Sequence, residues 1–484
     1  MSRCLTRVLL GMGILGLSWL ARWAVAQQPE QSQAPAGARA ATTVRDLGAK
    51  GDGQADDTAA IQQAADRGGE IRFGRGTYRI TRPIVIDLER VGYTSVVGDG
   101  TATLVMAGAG PALKFLGTHR GTADPNSVKE NVWQRQRNPM VDGLEIVGDH
   151  PEAIGLWLEG TLQPIVTRLA VRKLLHGLYL TGRNRNVIIS ECHLYDNRGV
   201  GLYLEKLDLH QVNVTNCHIS YNGGGGIVVR ASSIRNLQIG TCDIEANMAA
   251  AGPPAANVLL DCTEEDSSIR EGAIVGCTLQ HSGQAPDSAN IRLLGRSAKE
   301  PQRVGFFSIA DNQLSDTAVN VHLAHARGVS ITGNTFFLGH QHNLLVEDCS
   351  QIVIGPNLFE RNPDYPPGSR DGLVLSDCSD CTLNGWQVFN TLADQGALVL
   401  RRCRRVNMTG CTILDCDGCG LFLEDVQSVR VSGCLVRDDR PAAARPVALR
   451  LTGGRGNMIV DNLLFGQTEI APGTWRVRGN YGGD

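Results

Sequence analysis

Large rings are scarce in this chain, with Phe, Trp and Tyr making up 5% of its 484 residues. That share is low for an enzyme folded round one compact core, where bulky aromatic groups do much of the filling. Charge of either sign is not in excess, the formal net charge being -3. No overall basic face is on offer to a phosphate backbone, so nucleic acid is not the expected partner. Beyond the N-terminus no apolar run is long enough to span a bilayer. The 14 cysteines become thirteen once Cys4 leaves with a signal peptide, and an odd number does not fit a fully paired disulfide framework.

What is present begins with an export signal. Arg3 and Arg7 precede an apolar stretch from Val8 to Leu20, and Ala24-Val25-Ala26 has the small-x-small form of a cleavage site. Residues 1–26 therefore read as a cleaved signal peptide; the rival reading is an uncleaved anchor with Trp19 and Trp23 at the interface. The expected product is secreted, periplasmic or extracellular, and free of the membrane after cleavage. Residues 27–41 are mostly Gln, Pro, Ala and Gly and read as a flexible leader.

Glycine is abundant, at 57 residues, and from residue 154 onward it marks a repeat. Gly155-Leu156-Trp157-Leu158, Gly177-Leu178-Tyr179-Leu180, Gly201-Leu202-Tyr203-Leu204 and Gly226-Ile227-Val228-Val229 share one pattern. Later copies open at Asn257, Asn290, Asn320, Asn343, Gly372, Ala397, Gly420 and Ala448. Copies this close leave no room for helical crossovers, so each is one turn of a parallel coil. Parallel crossovers are right-handed. The expected fold is all-β, a single-stranded right-handed parallel β-helix of about twelve coils with an N-terminal capping helix. The expected divisions are a cap and first coils at 42–100, the β-helix at 101–468 and a C-terminal end cap at 469–484.

The same register explains the cysteines. Cys192, Cys217, Cys242, Cys277, Cys411 and Cys434 share one position of the repeat with Asn312, Asn334, Asn357 and Asn462. Such a position is an inward ladder in which Asn amides bond along the stack and Cys acts as a small hydrophobe. Cys349, Cys378 and Cys403 form a second ladder. The pairs Cys378-x-x-Cys381 and Cys416-x-x-Cys419 imitate a zinc ribbon, but they fall at different corners of the coil, and no metal site is expected.

At the front, Val44-Arg45-Asp46-Leu47-Gly48-Ala49-Lys50-Gly51-Asp52-Gly53 leads through Asp56-Asp57-Thr58 into a helical run whose Ile61, Ala64 and Ala65 make one apolar stripe. Gly68-Gly69-Glu70-Ile71-Arg72-Phe73 follows. This stretch closely resembles the start of the pectate-lyase-like superfamily, in the subgroup of rhamnogalacturonase and epimerase-like domains. The resemblance implies a β-helix acting on or binding polysaccharide, with Asp52, Asp56 and Asp57 mainly structural. It does not carry a reaction, since function rides on the site rather than the scaffold. Asp438-Asp439 and Gly339-His340 are fragments of the polygalacturonase set in the wrong order, and Asp149-His150-Pro151 inverts an epimerase signature.

Alternation along the repeat strand turns two columns outward. The first runs Trp157, Tyr179, Tyr203, Val228, Leu259, Arg292, His322, Leu345; the second runs Glu159, Thr181, Glu205, Arg230, Asp261, then Ala324 and Glu347 beyond one rung without a clear register. Trp157, Tyr179, Tyr203 and Glu159 are the expected substrate-binding residues, because ring faces stacked at the rung spacing suit a glycan lying along the axis. Glu205, Arg230, Asp261, Arg292 and His322 are the catalytic candidates. Glu205 and Asp261, two rungs apart, suit an inverting hydrolase, while Arg230, Arg292 and His322 offer the base and cation of a lyase. The plain alternative is a solvated ladder of weak cross-rung pairs.

A second candidate edge lies in the turns before these strands: His340, His342, Arg370, Asp371, Asp394, Asp415 and Asp417. The segment 117–138, with His119, Arg120, Lys129, Trp133, Arg135 and Arg137, breaks the repeat and reads either as a basic binding loop or as a loop packed over the stack. The expected function is cleavage, by a lyase or glycoside hydrolase, of an acidic, uronate-containing glycan. The alternative is a non-catalytic glycan-binding or surface-structural β-helix. No cofactor is expected to be required, with calcium left open.

Overall fold

Most rungs turn this corner on a single residue in the left-handed region, and the residue after that corner points into the core. Glu191 (φ 56°), Asn216 (φ 53°), Thr241 (φ 52°) and Asp311 (φ 56°) take this corner on their rungs, and Gly276, Gly333, Gly410 and Gly433 take it on others. A side chain is tolerated there only where the neighbouring rung leaves room. At Gly333 it does not, since a Cβ would lie 2.1 Å from Asp311 Oδ1.

The computed structural model describes residues 42–249, 256–282, 285–300, 302–365, 368–393, 395–441, 446–471 and 474–482. The expected signal peptide and leader, and Asp394, lie outside the described residues. Three parallel sheets run the length of the coil. The first contains Ile84–Asp87, Gly110–Leu116, Ala153–Glu159 and every repeat strand to Val447–Thr452 and Gln467–Ile470. All its pairings are parallel. The twelve rungs read from the sequence are all there, with two more in front and one behind. The segment expected as an end cap extends the coil instead: Thr474–Arg478 adds a strand to the second sheet.

The front is closed by the helix Thr58–Arg67, which buries Ile61, Ala64 and Ala65. The acidic motif is structural, as the resemblance implies. Asp57 accepts from the Lys50 and Gly51 amides at 2.6 and 3.0 Å, and Asp56 accepts from Thr58 N at 3.0 Å and Thr81 Oγ1 at 2.7 Å.

The mixed Cys and Asn ladder forms as read. Cys242 N reaches Cys277 Sγ at 3.4 Å, Cys277 N reaches Asn312 Oδ1 at 2.9 Å, and Asn312 N reaches Asn334 Oδ1 at 3.0 Å. Trp386, fully buried, takes one rung of it. A second, all-Asn ladder is legible only in the structure: the amides of Asn197, Asn222, Asn247, Asn257, Asn290, Asn320 and Asn343 bond head to tail at 2.7 to 2.9 Å. Asn257, Asn290, Asn320 and Asn343, taken from sequence as strand openers, are thus core hydrogen-bonding groups. Thirteen cysteines, every one among the described residues, are free and buried. The 117–138 segment packs on the coil: buried Arg185 donates to the carbonyls of Thr122, Ala123 and Asp124 at 2.7 to 3.3 Å, and Arg137 reaches Tyr93 Oη at 3.3 Å.

Candidate functional site on the first sheet

Register bears out the first outward column, and the second except between Thr181 and Glu205, where the pairing shifts. Trp157, Tyr179, Tyr203, Val228, Leu259, Arg292, His322 and Leu345 are partners on successive rungs. The rung missing from the second column is Leu294, between Asp261 and Ala324. One expectation fails, because this face is not open to solvent along its middle. Tyr203, Val228 and Leu259 pack with Val200, Ala256 and Ala289 into a second apolar cluster, and Arg292 is 4% exposed. Val200, Ala256 and Ala289, at the starts of their strands, bring this about.

At one end of the cluster the aromatic residues stack. Trp157 and Tyr179 ring centroids are 4.9 Å apart, Tyr179 and Tyr203 5.5 Å, and His176 lies 4.9 Å from Tyr203. Lys114 sits 4.2 Å over the Trp157 ring and pairs with Glu159 at 2.9 Å. Both tyrosine hydroxyls donate to Glu205, at 2.7 Å from Tyr179 and 2.9 Å from Tyr203. Burial pushes the Glu205 carboxyl up, but the two hydroxyls outweigh it and hold the group below its ordinary range. Burial and the Glu205 hydrogen bond push Tyr203 up to about 12. Glu205 is therefore a fixed anion, the wrong state for a general acid. Arg230 pairs with Asp261 at 3.3 Å, and Asp261 also accepts from Thr263 N and Oγ1 at 3.0 and 2.6 Å. That pair matches the plain cross-rung ladder.

At the other end His322 Nε2 lies 3.0 Å from Glu347 Oε2. The His322 side chain is 16% exposed and Glu347 43%. Burial, then the neighbouring Arg292 guanidinium, lowers the His322 pKa against the pull of Glu347. Arg292 Nη2 is held by Asp287 O and Oδ1, both at 2.9 Å, while its buried Nε has no partner among the described residues. His342 faces the same end, its pKa also lowered by burial. The sequence placed Glu347 in an outward column without singling it out; its diagonal offset from His322, one rung on, is a register fact.

The turn edge divides. His340 and Asp371 adjoin a cluster whose centre is Asp316, bonded to His340 at 2.8 Å and His281 at 3.2 Å. Neither Asp316 nor His281 was picked from sequence. Asp371 is buried and tied to Gly339 N at 2.8 Å and Ser369 Oγ at 2.5 Å, the role of a loop fastener. Arg370 accepts from Leu392 N through its carbonyl at 3.0 Å. Asp415 accepts from Asp439 N at 2.9 Å, and Asp417 pairs with Arg440 at 2.7 Å. Among the described residues no group of three or more His, Cys, Asp or Glu is placed to hold a metal ion.

Residues 41–252 match the family model for Rhamnogalacturonase A/epimerase, pectate lyase-like, and residues 302–465 match the model for a right handed beta helix region. The chain is a right-handed parallel β-helix whose N-terminal part matches the pectate-lyase-like model. Over 123 residues this β-helix protein is 32% identical to a probable glucan endo-1,3-beta-glucosidase of Arthroderma benhamiae, a match that spans 22% of this chain and 13% of that relative. Among solved structures it is similar to a mannuronan C-5 epimerase A-module of Azotobacter vinelandii, at 13% identity and TM-score 0.38 over 91% of this chain and 99% of that one. It is also similar to PfbA, a surface adhesin of Streptococcus pneumoniae, at 15% identity and TM-score 0.36 over 92% and 93%. No helix among the described residues is long and apolar enough to cross a membrane.

Proposed function

We propose that this β-helix is an exported protein that cleaves an acidic, uronate-containing polysaccharide laid along its first sheet. The observation that carries the reading is the His322–Glu347 pair at 3.0 Å beside Arg292. A neutral imidazole backing a solvent-facing carboxylate is a proton-transfer pair, and a cation one rung away suits the charge on a uronate. Such a pair serves β-elimination: Glu347 removes the proton next to the sugar carboxylate, His322 shares it, the glycosidic C–O bond breaks, and the electron pair becomes a carbon–carbon double bond. The leaving oxygen takes a proton from water. The family match and the part-exposed Trp157 and Tyr179 rings support a sugar ligand. In this reading Glu205 holds the two tyrosines rather than transferring a proton.

The test is incubation with a panel of polysaccharides, read for unsaturated uronates by ultraviolet absorbance and for new reducing ends. Absorbance that disappears in Glu347→Gln supports elimination. Reducing ends without absorbance mean hydrolysis, and binding without either product makes this a non-catalytic glycan-binding β-helix.

A further inference from the structure

The second sheet segregates charge in a way the overall composition hides. Arg185, His210, Arg235 and Arg270 occupy one register position on four successive rungs. Arg327, Arg404 and Arg455 hold the same position further along, with Gly305, Ser350, Ser379 and Gln427 between them. No Asp or Glu enters this column. The next outward column, running from Asn213 and Gln238 through Ser308, Ser330 and Thr382 to Asn407, also lacks a carboxylate. Yet the whole chain carries more acidic than basic residues, 49 against 46.

The column is short of counter-charge. Asp208 and Asp380 are taken by Arg183 and Arg405, which stand outside it, and Glu271 sits beside Arg270. The exposed acids Glu264, Glu265 and Asp266 lie at the preceding corner of one rung. Arg235 donates to the carbonyls of Ile234 and Ser268, Arg327 to Gln351 and Arg455 to Gln427. None of Arg235, Arg270, Arg327, Arg404 and Arg455 is ion-paired among the described residues. The buried Nε of Arg270 and Nδ1 of His210 lack partners there too. Burial and then the Arg270 charge disfavour the Arg235 cation. Like charges stacked at the rung spacing of about 4.8 Å cost stability unless something outside neutralises them.

We propose that the second sheet binds a linear polyanionic glycan running along the coil axis, its carboxylates or sulfates on the Arg column and its hydroxyls on the neighbouring Asn, Gln, Ser and Thr. The rung spacing is close to the length of one sugar in an extended chain. A nucleic acid would call for aromatic stacking partners, and the column offers one exposed ring beside it, Phe306. This surface is separate from the His322–Glu347 pair, so it stands whether or not the first sheet cleaves anything.

The experiment is calorimetric titration of the full chain with polygalacturonate, with its fully methyl-esterified form, and with single-stranded DNA of equal charge, at one salt concentration. The proposal expects binding of polygalacturonate alone. Replacing three cations of the column together, Arg327→Gln, Arg404→Gln and Arg455→Gln, weakens that binding about tenfold or more, while the same positions changed to Lys retain most of it. The titrations are repeated in the Glu347→Gln background, so that cleavage on the first sheet contributes no heat. A thermal melt of the Gln variant confirms that it is folded. Unchanged affinity in that variant, equal binding of the methyl ester, or DNA bound as tightly as polygalacturonate overturns the proposal.

Discussion

Tyr179 and Glu205 stand on adjacent rungs and are joined by a 2.7 Å hydrogen bond, with Tyr203 closing on the other carboxylate oxygen at 2.9 Å. Tyr203 is 8% exposed and belongs to an apolar cluster. Tyr203→Ala is therefore expected to destabilise by about 3 kcal/mol, the cost of a vacated aromatic site. Tyr203→Phe keeps the ring and costs about 1 kcal/mol for the lost hydrogen bond. Urea unfolding of both variants checks the pair; equal, negligible losses mean the ring is at the surface.

Activity on a uronate polymer should rise with pH through an acid limb below the ordinary histidine value, because His322 must be neutral and its pKa is lowered. Glu347 raises that pKa, so Glu347→Gln moves the residual acid limb to lower pH and cuts kcat by about a hundredfold or more. Profiles of kcat against pH for both proteins show it. An acid limb that stays put places the titrating group elsewhere.

All thirteen described cysteines are free, and burial pushes Cys381 up to about 12 and Cys419 up to about 11. Native protein is expected to react slowly with a thiol reagent, since every one of these thiols is buried away from solvent. The mature chain in denaturant should release all thirteen at once. A majority found oxidised would contradict the ladders.

His119 is buried with both ring nitrogens lacking partners among the described residues, and burial, then Arg183, pushes its pKa down to about 4. The unfolded chain binds this proton more readily, so stability is lost as pH falls from about 6.5 toward 4. His119→Phe reduces that slope, with His176, also near 4, supplying part of what remains. Melting temperatures at several pH values measure it; an identical slope in the variant means His119 is not desolvated.

The Asn290 amide donates to Asn320 Oδ1 at 2.7 Å, and Asn290 Oδ1 accepts from Asn257 at 2.7 Å. Asn290→Ala leaves two buried amide groups short of a partner and is expected to cost about 2–4 kcal/mol. A small loss in chemical denaturation would show that water fills the gap.

Much of the site was half legible. Tyr179, Tyr203 and His322 follow from strand alternation, which is local. Burial of the cluster does not, because it depends on Val200, Ala256 and Ala289 lining up along Tyr203, Val228 and Leu259 after loops of unequal length. His281 and Asp316 escaped for the same reason. They are 35 residues apart and meet only because each ends a third-sheet strand on neighbouring rungs.

The repeat, its inward aliphatic positions, the Cys and Asn ladder and the capping helix were determined by the sequence alone. Each is written in spacings of a few residues, and stacking needs nothing more to bury them. The Arg column was decided only by the tertiary structure. Arg235 and Arg270 are separated by 35 positions and Arg270 and Arg327 by 57, and no period in the sequence links them. Parallel pairing aligns strands and ignores the length of the turns between them, so a near-neutral chain acquires a face of one sign.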